Sequence, residues 1–224
     1  VKDISELNIQ AVIRDIFTQT AIHTEKKNPD GSIANYNLIP RASSSLKVLA
    51  EFPIIVVLIY QLCKSNVNQE IESFIPLIAT AITLQPAPEH KNSQAFNKEV
   101  FVDFMVAQIK TLSFLAYIVR IYPESANAHS TQITQGILNL LRFCPQEVAH
   151  LRKELLIAAR HILATDIRVK FVPCIDQVFD ENILIGNGWT AHETLRPIIY
   201  STIADLVHHV RNLLKYKDLI SAIN

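Results

Sequence analysis

The chain has 224 residues, of which 49% are hydrophobic and 19% charged, so it can bury a large core and is not a disordered segment. Basic and acidic residues number 21 each, which leaves no net charge to attract nucleic acid over a distance. Only four glycines occur, which argues against a glycine-rich dinucleotide or phosphate loop and against a sheet-rich fold with many tight turns.

The chain begins VKDISELN, without an initiator methionine or a signal peptide, so we expect it to be a piece of a longer protein. Cys63, Cys144 and Cys174 are widely spaced and form no CxxC pair, which predicts buried thiols in a reducing compartment. The longest apolar run covers only residues 52–60, whereas a membrane span needs about twenty. We therefore predict that this run is a buried helix and that the chain binds no membrane.

Hydrophobic periodicity predicts helix after helix, about eight to nine in all. The chain opens with a candidate helix over 4–20 and continues with its longest loop, 21–42, which contains an Asn-Pro-Asp-Gly turn. Further helices are predicted over 43–65, 68–84, 96–122, 130–143, 146–165, 167–179 and 192–214, with a short one after 216. The predicted fold is therefore all-α, with a first helix and loop over 1–42 and one continuous array of HEAT-like helical repeats, a solenoid fragment, over 43–224.

The helix predicted over 96–122 has two adjacent apolar stripes, each following steps of four and three residues. The first stripe consists of Val100, Phe104, Ala107, Thr111, Phe114, Ile118 and Ile121. The second consists of Phe101, Met105, Gln108, Leu112, Leu115, Val119 and Tyr122. Together they form an apolar arc much wider than the roughly 100° of a surface helix. We therefore predict that other helices cover this helix on two sides, as in stacked helical layers.

The helix predicted over 146–165 is amphipathic instead. Its inward face is predicted to contain Val148, Leu151, Leu155, Ala158 and Ile162. Its outward face is predicted to contain Gln146, His150, Lys153 and Arg160.

Prolines recur within or near the start of apolar helices. The strings around Pro76 and Pro173 resemble each other, and those around Pro53 and Pro197 are looser relatives. An interior proline removes a backbone hydrogen bond and kinks a helix, so this recurrence is typical of the curved helix pairs of HEAT-like repeats.

Four strings of the sequence resemble one known family. They cover residues 39–58, 107–118, 149–159 and 204–211, whereas residues 1–38 match less well. The strings are similar to the N-terminal HEAT region of the very large pseudokinase branch of the phosphatidylinositol-3-kinase-related kinase family. The resemblance implies a nuclear, non-catalytic scaffold of SAGA-like histone acetyltransferase complexes, whose kinase-like end lies far outside this chain. The partners that it implies are transcription activators, subunits of these complexes and the flanking repeats of the same protein. It implies neither a cofactor nor direct binding of nucleic acid.

Two clusters of histidine and acidic residues are candidates for a metal site or for acid–base catalysis. His150, Glu154 and His161 lie near one helix face, but the spacing differs from that of common zinc sites such as HExxH, so we predict solvated residues and no metal. Asp205 precedes His208 and His209 by one helical turn, which permits a carboxylate–imidazole contact. Because no nucleophile turn accompanies it, we predict that the segment is not an enzyme. We also expect His209 to be half-buried.

Two basic clusters form the predicted partner surface. One lies around Arg152, Lys153, Arg160, Arg168 and Lys170, and the other around His208, His209, Arg211, Lys215 and Lys217. Acidic, aromatic-bearing activation segments bind through charge steering and an apolar groove, and Trp189 is an added aromatic anchor. The residues predicted to contact partners are Arg152, Lys153, Arg160, Lys170, Trp189, His208 and Arg211.

Each of these predictions has a simpler structural alternative. An ordinary solvated face would explain the basic clusters, and Trp189 would equally cover the end of a helix pair. Arg152 lies on one line with Ala149, Leu156 and Ala159, so its alternative role is to satisfy buried carbonyls. For the whole segment, the alternatives are a HEAT-repeat transport adaptor of the importin type and a hydrolase that uses Asp205 with His208 or His209.

Overall fold

The computed structural model describes residues 16–17, 29, 40–63, 68–145, 148–185 and 192–223. The regular structure in these residues is helical, which confirms the predicted all-α class. In chain order the α-helices are α1 (Pro40–Leu62), α2 (Asn68–Glu72), α3 (Phe74–Ala81), α4 (Pro88–Lys91), α5 (Lys98–Ile118), α6 (Pro123–Ala128), α7 (Ser130–Phe143), α8 (Ala149–Leu163), α9 (Ile175–Val178), α10 (Glu181–Leu184), α11 (His192–Val210) and α12 (Tyr216–Ile223). A 3-10 helix, Asp166–Cys174, lies between α8 and α9.

The longer helices match their predicted positions to within a few residues, but two predicted helices are divided. The helix expected over 68–84 is interrupted at Ser73, and Pro76 therefore lies in the first turn of α3, where no ladder hydrogen bond is lost. The prediction of one helix over 167–179 is wrong, because residues 166–174 are a 3-10 helix that contains Pro173. Proline has no amide hydrogen, so Pro173 donates neither an i−3 nor an i−4 bond, and the single α-turn Ile175–Val178 begins only after it.

Short helices occur where the sequence suggests only loops. Helices α4 and α6 begin with Pro88 and Pro123. The fixed φ of proline suits the first helical position, where its missing amide donor costs no intrahelical bond. The predicted helix over 4–20 and the predicted loop over 21–42 lie almost wholly outside the described residues.

The chain forms two compact units. The first comprises residues up to Glu51 together with Leu84–Ala107. In it, the fully buried ring of Phe17 meets the ring of Phe101 edge-on at 5.8 Å and that of Phe104 at 5.2 Å. The backbone amide of Asn97 donates to the carbonyl of Phe17 at 3.0 Å. An aromatic cluster therefore holds this unit together.

The second unit comprises Phe52–Thr83 together with residues from Gln108 onward. Helix α8 packs against α7, α11 and the 3-10 helix, and α3 packs against α7. The approach of α3 to α7 is very close, since a Cβ built on Gly136 would lie 2.6 Å from Cγ1 of Ile82. Glycine at this position therefore lets the two helices interlock, whereas a larger residue would force Ile82 to move.

Helix α5 is covered as its two stripes predict. Met105, Ile109, Leu112, Leu115 and Ile118 are fully buried, and Gln108 donates from Nε2 to the carbonyl of Ala81 at 2.8 Å. Its amide thus caps the C-terminal end of α3. Of the apolar positions in the two stripes, only Ile121, just beyond the helix end, is exposed.

Helix α1 contradicts the prediction for residues 52–60. Pro53 and Val56 are buried, but Phe52, Ile54, Ile55, Leu58 and Ile59 are each 43–53% exposed. A run of nine apolar residues surrounds a helix on all sides, and the ring contacts of Phe52 with Phe74 and of Tyr60 with Tyr117 cover only part of it. Among the described residues, Ser45–Leu62 and Lys98–Ile118 are long and apolar enough to cross a membrane by length and composition. Lys98–Ile118 is mostly buried in the core.

Candidate partner-binding surface

Helix α8 has one face buried in the core and one face exposed to solvent. Leu151, Leu155, Ala158 and Ile162 are buried as predicted, and the outward residues His150, Lys153 and Arg160 are exposed. A second line of residues is also buried, namely Arg152, Leu156, Ala159 and Leu163. The buried arc of α8 is therefore wider than the amphipathic pattern suggests, and only a narrow face remains for a partner.

Arg152 is not part of the partner surface, because it is only 3% exposed. Its Nη1 donates to the carbonyls of Ile183 at 2.6 Å and Leu184 at 3.2 Å, and its Nη2 donates to that of Cys144 at 3.0 Å. These carbonyls lie at the C-terminal ends of α7 and α10, where backbone acceptors lack helical partners and the helix dipole is negative. Arg152 therefore satisfies buried carbonyls, which is the alternative that the sequence offers.

The three cysteines lie in different environments. Cys144 is buried, and burial raises the pKa of its thiol to about 11, while the nearby Arg152 charge opposes the shift. Cys174 is half-buried, and burial likewise raises its thiol pKa. Cys63 is exposed at the end of α1, so its predicted burial is wrong. It follows directly on Leu62, which is 85% exposed.

An ion pair joins α8 to α11. Arg160 donates from Nε at 3.0 Å and from Nη2 at 2.7 Å to the same oxygen, Oδ2 of Asp205. The side chains of Arg160 and Asp205 are 44% and 54% exposed, so water and salt screen the pair and it adds little stability. Its significance is positional, since it brings Arg160 of the first basic cluster to the helix that contains His208 and His209 of the second.

The sequence suggests a contact between the Asp205 carboxylate and an imidazole, but the structure has His209 contacting the backbone of Asp205 instead. His209 Nδ1 lies 2.6 Å from the backbone carbonyl of Asp205, so this nitrogen carries the hydrogen and donates it. The Asp205 carboxylate itself pairs with Arg160. His209 is exposed rather than half-buried, because the buried line through Leu195, Ile199, Thr202 and Leu206 continues to Val210 instead.

The histidine and acidic residues considered for a metal on α8 have other partners. Glu154 pairs with Lys110 of α5 at 3.0 Å. His161 accepts through Nδ1 from Nη2 of Arg120, in the turn after α5, at 3.2 Å. Among the described side chains, no group of three or more His, Cys, Asp or Glu is placed to hold a metal ion.

A groove of about 340 Å³ lies between α8 and α11. Its volume is at the lower end of the range of ligand clefts, about 300–1,000 Å³. We call it the α8–α11 groove, and its lining residues are Ile157, Arg160, His161, Leu163, Ala164, Ile198, Thr202, Asp205 and His209. The groove thus combines an apolar floor with charged and imidazole groups at its edges.

Apart from the buried Arg152, the other predicted contact residues that the structure describes do not line this groove but face solvent. Lys153, Lys170, His208 and Arg211 are exposed, and the rings of His208 and His209 meet edge-on at 5.3 Å. Trp189 lies outside the described residues. Arg120 is a neighbour of His161 that the sequence does not reveal, since it lies in the turn after α5, 41 residues from His161. Only the tertiary packing reveals that proximity.

Comparison with known proteins identifies the family. The pattern described as the Tra1 HEAT repeat central region matches residues 100–224. The chain is 55% identical to a transformation/transcription domain-associated protein of Danio rerio over 208 residues, which cover 93% of this chain and 5% of that protein. It is also 55% identical to transcription-associated protein 1 of Drosophila melanogaster over 225 residues, covering 100% of this chain and 6% of that protein.

A yeast relative extends the comparison. The SAGA complex/NuA4 acetyltransferase complex subunit TRA1 of Saccharomyces cerevisiae is 38% identical over 192 residues, which cover 78% of this chain and 5% of that protein. The chain therefore spans about one twentieth of the length of the relatives that it matches. The family match confirms the predicted HEAT-repeat class and does not favour the importin-type alternative. The chain belongs to the Tra1 family and represents part of the HEAT-repeat region that this family shares.

Proposed function

We propose that this chain is a non-catalytic scaffold segment of a large transcription coactivator protein of the nucleus. The proposal is supported by the yeast relative, whose name describes a subunit of the SAGA and NuA4 acetyltransferase complexes. It is also supported by an architecture of helices packed on helices, which presents broad surfaces to other proteins. In this proposal the segment has no cofactor and binds neither nucleic acid nor membrane, and the kinase-like domain of the parent protein lacks catalytic residues.

The docking surface for transcription activators and complex subunits is the exposed face shared by α8 and α11. The observation that supports this proposal is the Arg160–Asp205 pair, which joins the two helices beside an apolar groove that Arg160 of the first cluster and His209 of the second both line. Lys153 and Arg160 lie on α8, while His208 lies on α11 and Arg211 follows it, and all four are exposed. Positive charge around an apolar groove favours acidic partners that also contain large apolar residues.

A hydrolase is a poorer match to the same residues. Asp205 is engaged by Arg160, and His209 donates to a backbone carbonyl rather than orienting a nucleophile. A hydrolytic site needs a base aligned with a nucleophile and with oxyanion donors. No observation therefore favours catalysis at this pair over a structural and docking role.

The exposed apolar face of α1 fits a different partner, the flanking repeats of the parent protein. Ile55, Ile59 and Leu62 recur at helical spacing on a face where each is 47–85% exposed. Because the related proteins are about twenty times longer than this chain, helical repeats that would cover this face are available within one protein. The proposed arrangement is thus one continuous array over 43–224 that continues into neighbouring repeats.

Binding of an acidic peptide tests the docking proposal. We expect fluorescence anisotropy to detect binding that weakens with added salt and falls by about tenfold in Lys153→Glu with Arg160→Glu. Since Arg160→Glu also places two carboxylates together at Asp205, a second variant, Lys153→Glu with Lys170→Glu, leaves that ion pair intact. The matched control is Lys47→Glu with Lys98→Glu, an equal reversal at exposed residues elsewhere. Equal affinity in all of these variants would refute the α8–α11 surface.

A further inference from the structure

The α8–α11 groove has two walls with regular helical spacing. Ile157, Arg160, His161 and Ala164 form the α8 wall, and Ile198, Thr202, Asp205 and His209 form the α11 wall. Residues three or four apart lie on one face of a helix, so each wall is a ridge along its own helix. Two adjacent ridges with a cleft between them are the geometry into which a third helix packs.

The floor of the groove is suited to one large apolar side chain. Ile157 is 40% exposed, Ile198 is half-buried and Leu163 is nearly buried, so part of this apolar surface faces solvent. Thr202 is buried, but its hydroxyl donates to the carbonyl of Ile198 at 2.6 Å and needs no partner from a ligand. An apolar anchor would therefore bury this surface without leaving a polar group unsatisfied.

The charge at the groove is positive on balance. Arg160 and Asp205 neutralise each other across the groove. Arg120 donates to Nδ1 of the His161 ring, which carries no negative charge, so this contact does not neutralise the guanidinium. An arginine presents planar paired donors that match a carboxylate. A carboxylate beside the apolar anchor would therefore find a complementary group at the Arg120–His161 edge.

We propose that the α8–α11 groove binds a short amphipathic helix that inserts a leucine- or phenylalanine-sized anchor between α8 and α11. A carboxylate of this helix, one turn from the anchor, pairs with Arg120. This inference rests on the proposed docking function and adds the bound conformation, the anchor and the carboxylate partner. It makes Arg120 and Ala164, two residues outside the basic clusters, determinants of binding.

The first test fills the groove without changing its charge. Ala164→Phe places a ring on an exposed residue of the α8 wall, and we expect it to weaken binding by about tenfold or more. The matched control is Ala204→Phe, the same change at an exposed residue of α11 that does not line the groove. The probe is a labelled amphipathic peptide with one phenylalanine, two leucines and several aspartates, measured by anisotropy with the full chain.

The second test removes the proposed carboxylate partner. We expect Arg120→Gln to weaken binding by about twofold to fivefold, because an exposed ion pair contributes little, and to reduce the salt dependence. Arg196→Gln removes the same charge from an exposed residue outside the groove and should leave the affinity unchanged. A peptide with asparagine in place of aspartate should bind wild type and Arg120→Gln equally.

The outcomes separate this inference from the docking proposal. If the charge reversals weaken binding but Ala164→Phe matches Ala204→Phe, the docking face stands and the groove inference is wrong. If wild type does not bind the acidic peptide, the docking proposal fails and this inference falls with it. Circular dichroism of Ala164→Phe and Arg120→Gln should match wild type, so that a loss of affinity reports on the groove and not on unfolding.

Discussion

Helices α5 and α1 have similar compositions but opposite environments. Both are long and apolar on nearly all sides, yet the central residues of α5 are fully buried, whereas Leu58 is 53% exposed and Leu62 85% exposed. A wide apolar arc shows that a helix needs more than one covering neighbour. The apolar arc alone does not show whether these covering neighbours belong to the same 224 residues. The comparison therefore distinguishes a helix with a buried centre from a helix whose apolar face is largely exposed in the part of the chain that the structure describes.

The largest expected effect comes from truncating the same residue type on the two helices. We expect Leu112→Ala in α5 to lower the free energy of unfolding by about 2–5 kcal/mol, because it leaves a cavity in a closed core. Leu58→Ala in α1 should cost less than about 1 kcal/mol, since half of that side chain is already in water. Urea denaturation followed by circular dichroism measures both. Equal losses would contradict the contrast between the two helices.

Arg152 and Lys153 extend the contrast to neighbouring cations on α8. Arg152→Ala leaves three buried carbonyls without their donor, and we expect a loss of about 2–4 kcal/mol of unfolding free energy. Lys153→Ala, at an exposed residue, should change it by less than about 0.5 kcal/mol. The same denaturation experiment compares them. A loss of less than about 1 kcal/mol in Arg152→Ala would contradict this, because it would show that water can reach these carbonyls and replace the guanidinium.

The close packing of α7 against Ile82 predicts a smaller change in the free energy of unfolding at Gly136. Alanine favours helices over glycine by about 1 kcal/mol, but its Cβ would overlap the buried side chain of Ile82. We expect Gly136→Ala to destabilise the chain by about 1–2 kcal/mol in net terms. Ile82→Ala should cancel the overlap, so the double variant should lose less than the sum of the two single losses. Simple additivity would rule out this contact as the cause.

The smallest expected effect concerns thiol chemistry and pH. The thiol of Cys144 has its pKa raised from 9.0 to about 11 by burial, so folding favours its protonated form. Its contribution to stability is therefore complete below pH 9 and is lost as the pH rises from about 9 to 11. At pH 8.5 we expect iodoacetamide to modify exposed Cys63 well before Cys144, as read by mass spectrometry. Equal rates would contradict the buried position.

Much of the fold could be predicted from local patterns. The two stripes of α5 specified its buried residues, and the periodicity of α8 placed Leu151 inside and Lys153 outside. Local patterns could not predict the 3-10 helix around Pro173, because backbone propensity there competes with packing. Nor could they predict the exposure of α1, since periodicity shows that a face is apolar but not whether another element lies upon it.

The candidate site was predictable only in part. The two basic clusters follow from the sequence, but the Arg160–Asp205 pair that joins α8 to α11 connects residues 45 positions apart. The pairing of Arg120 with His161 likewise depends on tertiary packing. Arg152 was predicted to contact partners but is buried. The presence of an arginine in a helix does not show whether its guanidinium contacts water or buried carbonyls. Its helical line with Leu156 and Ala159 was the signal that pointed inward.

We propose different covers for two surfaces, flanking repeats for α1 and acidic partners for the α8–α11 face. Hydroxyl-radical footprinting with mass spectrometry tests this directly, on the 224-residue chain and on a longer protein of the family that includes this segment. We expect Leu58 and Leu62 to become protected in the longer protein, while the α8–α11 groove becomes protected only when an acidic amphipathic peptide is added. Continued exposure of Leu58 and Leu62 in the longer protein, or protection of α1 by the peptide, would contradict it.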